Sequence, residues 1–184
     1  MRSAVFLDRD GTINEDVDVL RDVAQLLILP GAAEGIRSLH DADFVIIVVT
    51  NQAVIARGWI DHAYLDAIHH EMKRLLSGKG AHIDAIYYCP HHPHADVEQY
   101  RMVCDCRKPG VQLIEQAIKE FDIDRATSFM IGDRTSDIEA GRRAGLKTIL
   151  VKTGVAGKDG GHQVTPDLIA NDLEEASKLI LGTR

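Results

Sequence analysis

Phe44-Val45-Ile46-Ile47-Val48-Val49 is an apolar run with no polar residue inside it. A strand with one solvated face would alternate, so an unbroken run predicts a strand buried on both faces, as in a parallel sheet. Residues 3–7 form a second short apolar run that stops at polar residues. Between the two, residues 31–41 carry Ile36, Leu39 and His40 at helical spacing after a Pro30-Gly31 breaker. The order strand, helix, strand then repeats. Tyr64, Leu65, Ile68, Met72, Leu75 and Leu76 share one helical face, and Gly78 and Gly80 end that helix ahead of a strand over residues 83–88. Leu113, Ile114, Ala117, Ile118 and Phe121 form another stripe, followed by a strand at 128–131, a helix near 136–144 and a strand at 148–151. Residues 154–166, with glycines at 154, 157, 160 and 161, read as a mobile loop, and 168–181 as a strand and a closing helix. Strands alternating with helices predict an α/β fold: a doubly wound, mainly parallel sheet with helices on both faces, in one domain over residues 1–184.

Acidic side chains outnumber basic ones, 28 to 21, and no Lys/Arg run is long enough to form a polyanion-binding stripe. Nucleic acid and anionic membranes are therefore not expected as partners, and a phosphorylated ligand would need a few placed cations or a metal. No segment approaches the roughly 18 apolar residues of a membrane span, and the N-terminus lacks signal-peptide architecture. A soluble, cytoplasmic monomer is expected. The three cysteines, Cys89, Cys104 and Cys106, lie close together in sequence; an odd number in such a chain is a poor disulfide framework, and metal binding is the better reading.

In parallel sheets of this kind ligands bind at the carboxyl ends of the strands, so the residues just after each strand should carry the chemistry. The first strand ends in Asp8-Arg9-Asp10-Gly11-Thr12. Carboxylates at i and i+2 lie on the same side of an extended segment, about 7 Å apart, and their repulsion is relieved by a divalent cation or a proton. Alone, Asp-x-Asp-Gly also describes a solvated acidic turn. Thr50-Asn51 follows the second strand, where a hydroxyl and an amide can donate to phosphoryl oxygens or merely cap a helix. Arg107-Lys108-Pro109 precedes the fourth helix, and Gly132-Asp133-Arg134-Thr135-Ser136-Asp137 follows the strand at 128–131. Four strand ends bearing a carboxylate pair, a hydroxyl, a lysine and a carboxylate are hard to explain as packing.

With these four motifs the chain resembles the haloacid dehalogenase superfamily of phosphatases over nearly its whole length. The resemblance implies Asp8 as nucleophile and Asp10 as the acid and then the base. It implies Mg²⁺ held by Asp8, Asp133 and the backbone carbonyl of Asp10, with Thr50 and Lys108 on the transferring phosphoryl group and Asp137 orienting from behind. A receiver-like binding module also has strand-end aspartates, but it leaves Asp10 without a role.

Cys89-Pro90-His91 and Cys104-Asp105-Cys106 supply the ligand set of a structural Cys₃His zinc site, although on spacing alone His92 or His94 could replace His91. A Cys-Pro-His loop ending in Cys-Asp-Cys-Arg-Lys-Pro, here residues 89–108, is similar to the branch of heptose-bisphosphate phosphatases and the phosphatase domain of histidinol-phosphate phosphatase. That similarity implies a structural Zn²⁺ on Cys89, His91, Cys104 and Cys106. Residues 13–49 leave no room for a cap domain. The implied site is open, with specificity left to the zinc loop and to residues 14–21, including Asp16. The long loop and residues 51–58 most resemble the heptose-bisphosphate members, with histidinol-phosphate or general sugar-phosphate phosphatases as the alternative. Asn51, Gln52, Ala53, Arg57, Arg107 and Arg134 are the expected substrate contacts, the arginines suiting a second, non-reacting phosphate. The sequence departs from the heptose members at Ala53-Val54, where they usually carry Ser-Gly, and at Asp18-Val19, where they carry Gly-Tyr. His40, His62, His69, His70, His82 and His162 read as surface or packing residues, and Trp59 as a wall of the site loop or packing.

Overall fold

The computed structural model describes residues 1–17 and 19–183. Along the chain run β1 (Ala4–Leu7), α1 (Ala32–Asp41), β2 (Val45–Asn51), α2 (Ala53–Ala56), α3 (His62–Ser77), β3 (Ala85–Cys89), α4 (Gln112–Phe121), β4 (Phe129–Gly132), α5 (Thr135–Arg143), β5 (Lys147–Val151), β6 (Leu168–Ala170) and α6 (Leu173–Leu181). The sheet has the order β3-β2-β1-β4-β5-β6, and every neighbouring pair is parallel.

Side chains of successive residues leave β1 on opposite faces. Val5 and Leu7 join Ile46, Val48 and the buried stripes of α1, α3 and α6 in one core, whereas Ala4 and Phe6 join Val45, Ile47, Val49, α4 and α5 in the other. Two-sided burial is why the strands read as unbroken apolar runs. Short polar caps start several helices: Asp61 accepts from the Tyr64 amide at α3, and Asp172 from the Glu175 amide at α6.

Leu7 sits opposite Val48 on one side and Ile131 on the other. That register brings the residues following β1, β2 and β4 to one end of the sheet. The chain reverses its direction of winding between β1 and β4, and the crevice at such a switch point is where ligands bind in this architecture. Residues 14–44 hold one 3₁₀ turn, Val23–Gln25, and helix α1, with no inserted cap among the described residues. Asp18, one of the two residues at which the sequence departs in the 14–21 segment, lies outside the described residues. No helix among them is long and apolar enough to cross a membrane.

Residues 154–166, which composition alone reads as mobile, are fastened to the sheet end. The Thr153 hydroxyl donates to the Gly11 carbonyl at 2.6 Å, the Val155 amide to Asp133 Oδ2 at 2.7 Å, and Asp159 accepts from both the amide and the hydroxyl of Thr135.

Candidate active site

Asp8 emerges from β1 almost fully buried. Its Oδ1 accepts from the Arg9 amide at 2.7 Å and from Lys108 Nζ at 2.8 Å. Lys108 is itself buried, and its ammonium also meets Asp137 Oδ1 at 2.8 Å and the Val49 carbonyl at 2.6 Å. Its position is set from the main chain: the Asn51 amide side chain accepts from the Lys108 N–H at 2.9 Å and donates to its carbonyl at 3.2 Å. Asn51 therefore locates the lysine from its main chain. Asp137 is the third residue of α5 and accepts from the Arg134 amide, so it caps the helix while facing Lys108.

Asp133, fully buried, completes the cluster. One oxygen from each of Asp8, Asp133 and Asp137 can be chosen so that all three lie within 4.8 Å of one another. Asp133 Oδ1 is buried without a hydrogen-bond partner. Burial and then the Asp8 charge push the Asp133 carboxyl up to about 7. Burial and Asp8 likewise raise Asp137 to about 7 against the pull of Lys108, because one ammonium is shared between two carboxylates. Burial alone would lower the Lys108 pKa, but the charges of Asp137 and Asp8 outweigh it and raise it. Three buried carboxylates against one buried ammonium leave a surplus of negative charge and a free oxygen, which suits a hard divalent cation with oxygen ligands. Glycine makes this closeness possible: at Gly11 and Gly154, both with positive φ, an added Cβ would overlap the Asp133 carboxylate.

Asp10 has a different environment. Its carboxylate accepts from Arg9 Nε at 3.0 Å and Nη2 at 2.7 Å, from Asn14 Nδ2 at 2.9 Å and from Gln52 Nε2 at 3.0 Å. Burial would raise this carboxyl; the Arg9 charge and the three donors more than offset it and hold it below its ordinary value. Gln52 also donates to Thr50 Oγ1 at 2.7 Å, tying the second motif to the first.

Above these groups opens a cleft of about 500 Å³, lined by Asp8, Asp10, Thr50, Lys108 and Asp137, and at its rim by Asp16, Arg57, Trp59, Arg107 and Arg134. Asn51, Gln52, Ala53, Val54 and Val19 also face it. The rim arginines are partly engaged: Arg134 pairs with Asp16 at 2.8 Å, Arg57 with Asp96 at 3.5 Å, and Arg107 donates to the His91 carbonyl at 3.2 Å. Trp59 lies beneath Arg21, whose guanidinium carbon is 5.9 Å from the ring centre.

Next to the cleft the Cys89, Cys104 and Cys106 sulfurs and a His91 nitrogen converge within 4.8 Å of one another, with no disulfide among them. His91 Nδ1 is 3.2 Å from the Cys106 sulfur.

A family model described as "HAD-hyrolase-like" matches residues 105–176. A D-glycero-D-manno-heptose-1,7-bisphosphate 7-phosphatase of Chlorobaculum tepidum is 40% identical over 187 residues, covering 97% of this chain and 94% of the relative. The chain belongs to the haloacid dehalogenase superfamily. A second relative, a D-glycero-beta-D-manno-heptose-1,7-bisphosphate 7-phosphatase of Pasteurella multocida, is 38% identical over 185 residues, 100% of both chains. A solved D,D-heptose 1,7-bisphosphate phosphatase from B. bronchiseptica, complexed with magnesium and phosphate, superposes with a TM-score of 0.87 at 33% identity and covers 99% of each chain. For a haloacid dehalogenase domain, the strand-end residues read from sequence converge at one sheet end.

Several groups at this site carry no signal in the linear pattern. Arg9, between two aspartates in the sequence, is fully buried and grips Asp10. His69, read as a surface or packing residue, is buried on α3 with Nε2 3.2 Å from Arg9 Nη1. Asp159 sits in a glycine-rich stretch and holds the start of α5.

Proposed function

We propose that the chain is a Mg²⁺-dependent phosphatase that removes the 7-phosphate of D-glycero-D-manno-heptose 1,7-bisphosphate, working as one domain with a structural Zn²⁺. The observation that supports this best is the Asp8 carboxylate, fixed by Lys108 beside Asp133 at the floor of a cleft whose rim carries Arg57, Arg107 and Arg134. The sequence relatives, whose names specify this reaction, support the choice of sugar.

Asp8, Asp133 and the Asp10 backbone carbonyl would hold the Mg²⁺, which when bound supplies charge neutralisation between the Asp8 carboxylate and the substrate dianion. An Asp8 oxygen forms a bond to phosphorus as the ester oxygen leaves, and Asp10 gives that oxygen its proton. Water then attacks phosphorus, the bond to Asp8 breaks, and Asp10 takes the proton released. The proton that Asp10 takes in the second step replaces the one it gave in the first, so the two steps close the cycle with no further donor. Lys108 and Thr50 stabilise the transferring phosphoryl oxygens. The rim arginines take the phosphate that does not react, a planar bidentate match.

Turnover of the heptose bisphosphate, histidinol phosphate and a set of sugar monophosphates tests the reading. The bisphosphate should have the highest kcat/KM, with position 7 released; a preference for histidinol phosphate would overturn it. Arg107→Ala should raise KM for the bisphosphate about tenfold, the effect of losing a hydrogen bond to a charged group, and leave a monophosphate nearly unchanged. Equal losses on both would remove Arg107 from the second-phosphate site.

Cys89, His91, Cys104 and Cys106 form a closed four-ligand set, with no open position for reacting water. Cys106 immediately precedes Arg107 and Lys108, so the metal would fix where these cations point. Stripping zinc should lower the melting temperature and reduce kcat/KM by about tenfold, in the range seen when groups supporting a metal site are lost. Elemental analysis should find one zinc per chain. Full activity and stability in zinc-free protein would sink this part.

A further inference from the structure

An arginine has only donors, so the 3.2 Å approach of buried Arg9 Nη1 to His69 Nε2 admits one assignment: Arg9 donates and the imidazole accepts in its neutral form. The other edge of the same guanidinium, Nε and Nη2, lies on the Asp10 carboxylate at 2.7 to 3.0 Å. The two edges thus clamp one planar group between helix α3 and the β1 end. Without His69, Nη1 would be a buried donor lacking this acceptor, and the guanidinium would be held from its Asp10 edge alone. The imidazole is itself located: its ring lies 5.7 Å from the Tyr88 ring, and the Tyr88 hydroxyl meets His62 Nδ1 at 2.9 Å. His62 Nε2 reaches the Tyr100 hydroxyl at 2.8 Å. Burial, and then the Arg9 charge, depress the His69 pKa to about 3, which agrees with a neutral ring at working pH.

We infer that His69 is a positioning residue for the reaction: by accepting from Arg9 it aims the guanidinium that holds the Asp10 carboxylate in place for proton transfer. This rests on the reading of Asp10 as the acid that protonates the leaving oxygen.

The test exploits leaving-group chemistry. A sugar phosphate leaves as a strongly basic alkoxide and needs a proton, whereas 4-nitrophenyl phosphate leaves as a stable phenolate and does not. The variants are His69→Leu, which removes the acceptor, His69→Gln, whose amide oxygen reaches the Nε2 position, and His69→Asn, whose amide falls one methylene short. In folded protein, checked by melting, Leu and Asn should each lower kcat/KM for a sugar phosphate by about tenfold, a fraction of what a general acid contributes, while 4-nitrophenyl phosphate changes by less than about threefold. Gln should restore the sugar phosphate to within about threefold of wild type. Should Leu fail to fold, the Gln and Asn pair, alike in chemistry and different in reach, decides alone. Equal losses on both substrates, no loss on either, or no difference between Gln and Asn would overturn the inference. Asp10→Asn is run alongside. If it too loses equally on both substrates, the acid reading fails and takes this inference with it; if it discriminates and the His69 variants do not, only the role of His69 falls.

Discussion

Asp8→Asn should abolish turnover, with a loss of at least ~10⁴-fold, because an amide cannot form the acyl-phosphate that the two-step route requires. The change keeps shape, so the Arg9 amide and Lys108 can still reach the retained side-chain oxygen. The fold should survive, and the melting temperature should stay level or rise, since one of three crowded carboxylates has lost its charge. The measurement is an acid quench of enzyme, labelled substrate and Mg²⁺: wild type should carry label on protein and the variant none. A variant that still turned over normally would rule out Asp8 as the nucleophile.

Lys108→Met should cost both chemistry and stability. Among the described residues the lysine is the buried cation that pairs with Asp8 and Asp137, and removing one side of a buried pair is worth roughly 3–5 kcal/mol. Its loss should also lower kcat/KM by about 10²- to 10³-fold, the scale of a removed electrostatic donor. The stability penalty should depend on pH. Asp137 already sits at about 7, above its unfolded value of 3.8, so the folded state binds the extra proton between these limits. A carboxyl raised in this way destabilises the fold as pH rises from about 4 through 7. Without Lys108 that pKa climbs further, so the two proteins lose stability in parallel up to about pH 7, and the difference between them should widen from about pH 7 to pH 9 in metal-free protein. A difference that is flat across this range, in chemical denaturation, would show that Lys108 does not compensate these carboxylates.

The strands were legible because burial on both faces left unbroken runs such as residues 44–49, and the amphipathic stripes of α3 and α4 carried their period openly. Helix α2 escaped notice because Ala53–Ala56 is too short to show a period. β2 extends past the apolar run because Thr50 and Asn51 pair with Tyr88 and Cys89, a tertiary fact with no local sign. At the site, Asp8, Asp10 and Asp133 stood out as polar residues where strands end, and Lys108 as a cation ahead of a helix. Arg9, His69 and Asp159 did not, since an arginine beside two aspartates or a histidine on a helix face has many solvent-exposed uses. What distinguishes them is burial and the partner across the fold, and both depend on which helix packs over which strand end. Asn51 illustrates the same limit: its position suggested a phosphate donor, and nothing local showed that its amide also grips the main chain of Lys108.

The central place of β1 has a consequence for synthesis. A growing chain displays Asp8 early relative to its partners: the strand bearing it gains its second neighbour only when residues 129–132 have been made, and Asp133 meets the Val155 amide later still. Contacts of such long sequence separation form late. The ribosome therefore has to add residues 129–155 before Asp8, Lys108 and Asp133 can stand together as they do here, and a product ending ahead of them would carry Asp8 without that setting.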